Sequence, residues 1–107
     1  MDRTINILGT EYKIIEDESL TEEGYDGKVS IFDATIRVRP YKYMLELGDP
    51  DNEKKACYRE TLRHEVVHAM FRESSHEKYM NDEDLVQFIA AMFPKMSHIF
   101  GELGIQS

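Results

Sequence analysis

The chain has one cysteine, Cys57, among 107 residues. A lone thiol excludes an internal disulfide and a cysteine-cluster metal site, and it fits a reducing compartment. Cys57 reads as a small buried or half-buried helix residue, not a reactive thiol. Basic charge is scarce as well. Thirteen Lys and Arg stand against 21 Asp and Glu, a net charge of −8, with an isoelectric point near 4.9. Binding to phosphate backbones rests on clustered Lys and Arg, so no direct nucleic-acid role is expected. Adsorption to anionic membranes is disfavoured for the same reason. No apolar run approaches the ~20 residues that cross a bilayer. Met1-Asp2-Arg3-Thr4 lacks the basic-then-apolar character of a secretory leader, which makes the cytoplasm the expected location. Repeats, linkers and low-complexity tracts are missing too. With 41% hydrophobic and 32% charged residues, residues 1–107 are expected to form a single folded domain.

The chain divides into two patterns. Residues 1–48 read as strands and turns. Thr4 to Leu8 alternates loosely, Gly9-Thr10 is a turn signal, and Tyr12 to Ile15 follows, which predicts a hairpin. The acidic stretch Glu16 to Asp26 reads as a solvated loop or a short exposed helix. A second extended pair follows, opened by Gly27. Val29 and Ile31 alternate with polar residues, as do Ile36 and Val38, with Asp33-Ala34 as the connection. Pro40 cannot donate to a ladder, so the second strand of this pair should stop there or run along a sheet edge.

The remainder reads as helix. Asp49 is a plausible N-cap with Pro50 in the first turn. Leu62, Val66, Val67, Met70 and Phe71 recur at helical spacing as far as Arg72. Asn81 should cap a following helix, with Asp82, Glu83 and Asp84 in its first turn, where carboxylates favour the positive end of the dipole. Leu85, Phe88, Ile89, Met92 and Met96 give that helix an apolar face, and Pro94 should kink or split it. Met44, Met70, Met80, Met92 and Met96 read as parts of an adaptable core, with an exposed binding groove as the alternative. The expected class is α+β: a small antiparallel or mixed sheet, then two long helices.

The chemistry lies in His64-Glu65-Val66-Val67-His68. Histidines at i and i+4 on a helix project from one face, one turn apart, and both imidazoles can reach one Zn²⁺ at about 2.0–2.1 Å. A glutamate beside the first histidine can hold and deprotonate a water on that metal, whose pKa zinc lowers from roughly 16 to about 7. Random placement of the chain's His and Glu would give this pattern in roughly 0.02 of such sequences. A third protein ligand is still required, with the fourth position left for water or substrate. His76, Asp82, Glu83, Asp84 and His98 are the downstream candidates. No Gly-x-x-His completes an extended motif, which leaves a carboxylate on the following helix.

Thr61-Leu62-Arg63-His64-Glu65-Val66-Val67-His68-Ala69-Met70-Phe71 resembles the active-site helix of gluzincin metallopeptidases. The closer resemblance is to small ImmA/IrrE-like zinc peptidases of phages and mobile elements. It extends to the strand Thr35-Ile36-Arg37-Val38 and to the run Asn81 to Ala90, and covers roughly residues 24 to 100. The resemblance implies one Zn²⁺ per chain, His64 and His68 as ligands, and Glu65 as general base. It implies Glu83 as third ligand. Gln87 then stands where the family has an Asp supporting a ligand, and it can orient an imidazole while raising its basicity less. Asp84 is the competitor for the third position, although Asn81-x-x-Asp84 also has the form of a capping box.

The implied activity is that of a zinc endopeptidase acting on a protein or peptide, plausibly a phage or mobile-element regulatory protein. Relatives carry a DNA-binding helix-turn-helix for which this chain has no room. Substrate is expected to add as a strand along the edge strand of the sheet, with Ile36 to Arg39 as the candidate edge. Tyr79, His76 and His98 are within sequence reach of an oxyanion-stabilising role, and none is assigned. Two other functions compete. One is a non-catalytic, zinc-stabilised protein-binding module with a fourth ligand such as Asp84 or His76. The other is a non-peptidase hydrolase using the same zinc chemistry.

Overall fold

In the computed structural model the described residues are 3–44 and 51–107, with side chains described from Lys55 onward in the second segment. The expected cap at Asp49-Pro50 lies outside them. The chain is α+β, with a four-stranded mixed sheet followed by helices.

Strands β1 (Arg3–Ile7) and β2 (Thr10–Glu16) form the expected hairpin, with Ile7 opposite Thr10. Leu8 and Gly9 both take positive φ, 51° and 101°, as a two-residue hairpin turn with the right twist requires. The Asn6 Oδ1 accepts the Gly9 N–H at 2.9 Å. The acidic stretch contains a short helix, α1 (Ser19–Glu23), anchored by buried Leu20 and ended by Gly24 at φ 82°. Then come β3 (Gly27–Ser30) and β4 (Thr35–Val38), paired antiparallel.

The sheet order is β1-β2-β4-β3, and β4 runs parallel to β2. Strand β4 is therefore interior, so the expected edge at Ile36 to Arg39 is corrected: the edges are β1 and β3, and β3 is the one beside β4. Of the two outcomes expected from Pro40, the first holds: β4 stops at Val38, two residues before Pro40, so the proline owes the ladder no donor. Thr35, Ile36 and Val38 are buried, as an interior strand requires. Pro40 instead precedes a 3-10 turn, Tyr41–Tyr43, that leads into buried Met44.

Helix α2 (Asp51–Glu73) lies across one face of this sheet. Ile7, Tyr12, Ile14, Ile36, Val38 and Ala69 form the core, and Tyr58, Leu62 and Val66 pack against it. The spacing Tyr58, Leu62, Val66, Ala69 is one helical stripe. At its far end Glu73 ties the helix to β2: Thr10 Oγ1 donates to Oε1 at 2.6 Å and Tyr12 Oη to Oε2 at 2.7 Å. These bonds hold the Glu73 carboxyl below its ordinary range. Burial, then the Glu73 contact, pushes the Tyr12 phenol up to about 12.

The two shifts act at opposite ends of the pH scale. Stability from Glu73 is present above the unfolded carboxylate pKa and is lost as pH falls through the folded value. Stability from Tyr12 is complete below the ordinary phenol value and is lost as pH rises toward about 12. Tyr12→Phe is expected to cost roughly 1–2 kcal/mol at neutral pH. In urea unfolding it should also flatten the alkaline fall in stability expected of the native chain above roughly pH 10.

After α3 (Glu77–Met80) the chain enters α4 (Glu83–Leu103). Of the kink or split expected at Pro94, the split does not occur, since α4 runs through it. Proline removes the amide that would bond the carbonyl of residue 90. Arg63 Nε of α2 donates to that Ala90 carbonyl at 3.3 Å, so the acceptor freed by Pro94 is satisfied from a neighbouring helix. The methionines do not form a joint core. Met44 is fully buried, but Met70 and Met96 are exposed, because aliphatic and tyrosine side chains already fill the space between α2 and the sheet. No helix among the described residues is long and apolar enough to cross a membrane.

Candidate metal centre

Helix α2 carries His64 and His68 one turn apart, with ring centroids 4.9 Å from each other. Opposite them stands the start of α4. Its cap is Asp82, one residue later than the expected Asn81, and the Asp82 Oδ1 accepts the Leu85 N–H at 3.1 Å. With the cap at 82, Glu83 is the first helical residue and faces both histidines. Its Oε2 lies 2.8 Å from His64 Nε2 and its Oε1 lies 3.1 Å from His68 Nε2. The two Nε2 atoms are 3.2 Å apart. Asp84 is exposed and outside this group.

The outer partners determine what the inner atoms offer. Gln87 Nε2 donates to Glu60 Oε1 at 2.9 Å. A carboxylate only accepts, so the amide orientation follows, and the Gln87 Oε1 faces His64 Nδ1 at 2.8 Å. His68 Nδ1 bonds the Met80 carbonyl. Both Nδ1 atoms meet carbonyl-type acceptors and must carry the proton. In the neutral rings both Nε2 lone pairs then point at the Glu83 carboxylate. Three electron pairs converging on one spot are held there by a shared positive charge, a metal ion or a proton on one Nε2. Ligands at about 2.0–2.1 Å from a tetrahedral ion sit roughly 3.3 Å from one another, close to the spacing found. His64, His68 and Glu83 therefore form a group that can hold a metal ion. Gln87 and the Met80 carbonyl provide the imidazole support that metal sites require. Neither Glu60 nor the Met80 carbonyl was legible as a partner in the sequence, because these contacts arise only when α3 and α4 fold back on α2.

Beside the group lies a cleft of about 700 Å³ whose walls come from β3, α2 and the start of α4. Glu65 lines it and is buried. Burial pushes its carboxyl up and Glu83 adds to this, against the opposing effect of the two histidines. Its position depends on Gly27 of β3. A Cβ at residue 27 would lie 2.9 Å from Glu65 Cγ and from Thr61 Cγ2, and 3.0 Å from Glu65 Oε2. Any side chain there would displace the carboxylate, so Gly27 belongs to the site, a role its place at the start of a strand did not reveal. Cys57 also lines the cleft, with its thiol raised chiefly by burial, consistent with a protonated packing group.

Tyr79, His76 and His98 do not line the cleft. Tyr79 packs on Phe71 with centroids 5.6 Å apart, His76 Nδ1 meets Ser74 Oγ at 3.0 Å, and His98 pairs with Glu102 at 3.0 Å. The polar groups that do line it include Tyr25, Lys28 and Asn81. Comparison of the chain with protein-family models, with curated proteins and with solved structures gives no significant match.

Proposed function

We propose that the chain is a zinc-dependent endopeptidase, with His64, His68 and Glu83 as metal ligands and Glu65 as general base. One observation carries this reading: three converging ligand atoms lie beside a buried carboxylate that abuts the edge strand of the sheet. Two imidazoles and one carboxylate suit zinc, and no fourth His, Cys, Asp or Glu joins the group among the described residues. That leaves the open position typical of catalytic sites. A purely structural ion would have no use for Glu65, so the binding-module reading is the weaker one.

Zinc bound there would supply Lewis acidity, acidifying water and polarising a carbonyl. The chain's own residues would do the rest. Strand β3 has no partner on its outer side among the described residues, so an extended peptide can pair with it by backbone hydrogen bonds. That pairing would hold the scissile bond in the cleft next to Glu65. Glu65 would take the proton from the attacking water and return it to the departing amine. Tyr25, Lys28 and Asn81 replace the three residues considered from sequence as candidates for stabilising the oxyanion. Resemblance to ImmA/IrrE-like peptidases supports peptide hydrolysis over other zinc chemistry and points to a regulatory protein of a phage or mobile element as substrate.

The test is to load the chain with one equivalent of zinc and follow cleavage of an unstructured polypeptide by mass spectrometry. Cleavage that a chelator stops and added zinc restores is expected. Stoichiometric zinc without cleavage of any of a broad panel of peptides would favour the binding module.

A further inference from the structure

Beyond Met92 the apolar face of α4 is turned away from the protein's own body. The helix buries Val86 and Ala90, and the same side carries Glu83 and Gln87 toward α2. At about 100° per residue, Leu85, Ile89, Met92, Met96, Ile99 and Leu103 form a separate stripe roughly a third of a turn away. Their spacing alternates four and three residues, which is a heptad seam with Met96 and Leu103 at a and Met92 and Ile99 at d. Beyond Met92 this seam is open: Met96 is 43%, Ile99 53% and Leu103 67% exposed, flanked by Phe93 at 59% and Phe100 at 37%.

We propose that this face is the interface of a homodimer in which the α4 helices of two copies pack antiparallel. The occupant follows from self-complementarity in one register. Setting Met96 against Ile99 of a second copy also sets Met92 against Leu103. It brings Phe93 near Phe100 on one flank and Lys95 near Glu102 on the other. Lys95 and Glu102 are the only Lys, Arg, Asp or Glu residues between Leu85 and Leu103, and the twofold pairing matches them with opposite sign twice. Glu102 pairs with its neighbour His98 at 3.0 Å. The exposed apolar side chains of this face amount to on the order of 600 Å² per copy, comparable with the apolar part of a standard interface of about 800 Å² per partner. A membrane surface is a poorer occupant, since the polar side of α4 is not basic.

Sedimentation of the full chain between roughly 1 and 200 μM tests this. A reversible dimer is expected. Lys95→Glu, an exposed change, should weaken it roughly tenfold by setting like charges together at two places. Lys95→Glu combined with Glu102→Lys should bring the affinity back to within a few-fold. Ile99→Glu should leave a folded monomer by circular dichroism. A chain monomeric throughout, or a dimer insensitive to both Lys95→Glu and Ile99→Glu, would overturn the proposal. A dimer that the double exchange fails to rescue would overturn the antiparallel register. A monomer that binds phosphatidylcholine vesicles through α4 would assign the face to lipid instead.

Discussion

Glu65→Gln is expected to retain one zinc per chain and to lose peptide hydrolysis by roughly 10²–10⁴-fold in kcat. The amide has nearly the shape of the carboxylate, so the close fit against Gly27 and Thr61 is kept. What disappears is a group that can accept a proton and return it. At 1.36 kcal/mol per tenfold, the loss is about 3–5 kcal/mol of transition-state stabilisation. Because Glu65 is not one of the three converging ligand atoms, metal content should not change. The measurement is elemental analysis beside the cleavage assay on the same preparation. Loss of zinc together with activity would mean that Glu65 belongs to the ligand set. Full retention of activity would remove it from the reaction.

Glu83→Ala is expected to abolish stoichiometric zinc binding, and His68→Ala likewise, while Asp84→Ala leaves it intact. Each of the first two removes one of the three groups proposed as ligands. The loss in affinity should exceed the roughly 10–100-fold that follows from deleting a group that only orients a ligand. Gln87→Ala, which frees His64 Nδ1 from its 2.8 Å contact, supplies that smaller effect for comparison. Thermal unfolding reads the same difference. At a free zinc concentration of 100 times Kd the metal stabilises by about 2.7 kcal/mol, a Tm rise of roughly 10–20 °C for a domain of this size. Glu83→Ala and His68→Ala should lack that rise. Zinc retained by Glu83→Ala and lost by Asp84→Ala would move the third ligand by one residue.

The residues brought together at the candidate centre were legible because their geometry is local. Positions 64 and 68 share a face of any α-helix, whatever the helix packs on. The carboxylate of Glu83 needed more. Its choice over Asp84 rested on resemblance, and its position in the group follows from a cap at Asp82 and not Asn81, a shift of one residue that no capping preference could separate. Gln87 was expected behind a ligand, and it meets His64. Glu60, which orients that amide, could not be found, since it lies 27 residues from Gln87 and no pattern connects them.

Strand content, the two hairpin-like pairs, the helical second half and the histidine pair follow from the sequence alone, because alternation, turn chemistry and helical periodicity act between near neighbours. Strand order is different. Val29 and Ile36 pair across a short connection, but nothing local says that β4 joins β2 in parallel and leaves β3 at the edge. That outcome depends on how much apolar surface each strand buries against α2, a property of the assembled layers. The rotation of α4 has the same origin. Its strongest apolar stripe marks a buried face when the helix is read by itself. Once Glu83 and Gln87 are turned toward His64, Val86 and Ala90 go inward with them, and the stripe is left half-buried at Leu85, Ile89 and Met92 and exposed from Met96 on. A rigid helix cannot present both sides to one neighbour, so the contacts of Glu83 and Gln87 with the two histidines decide which face the rest of the helix leaves exposed.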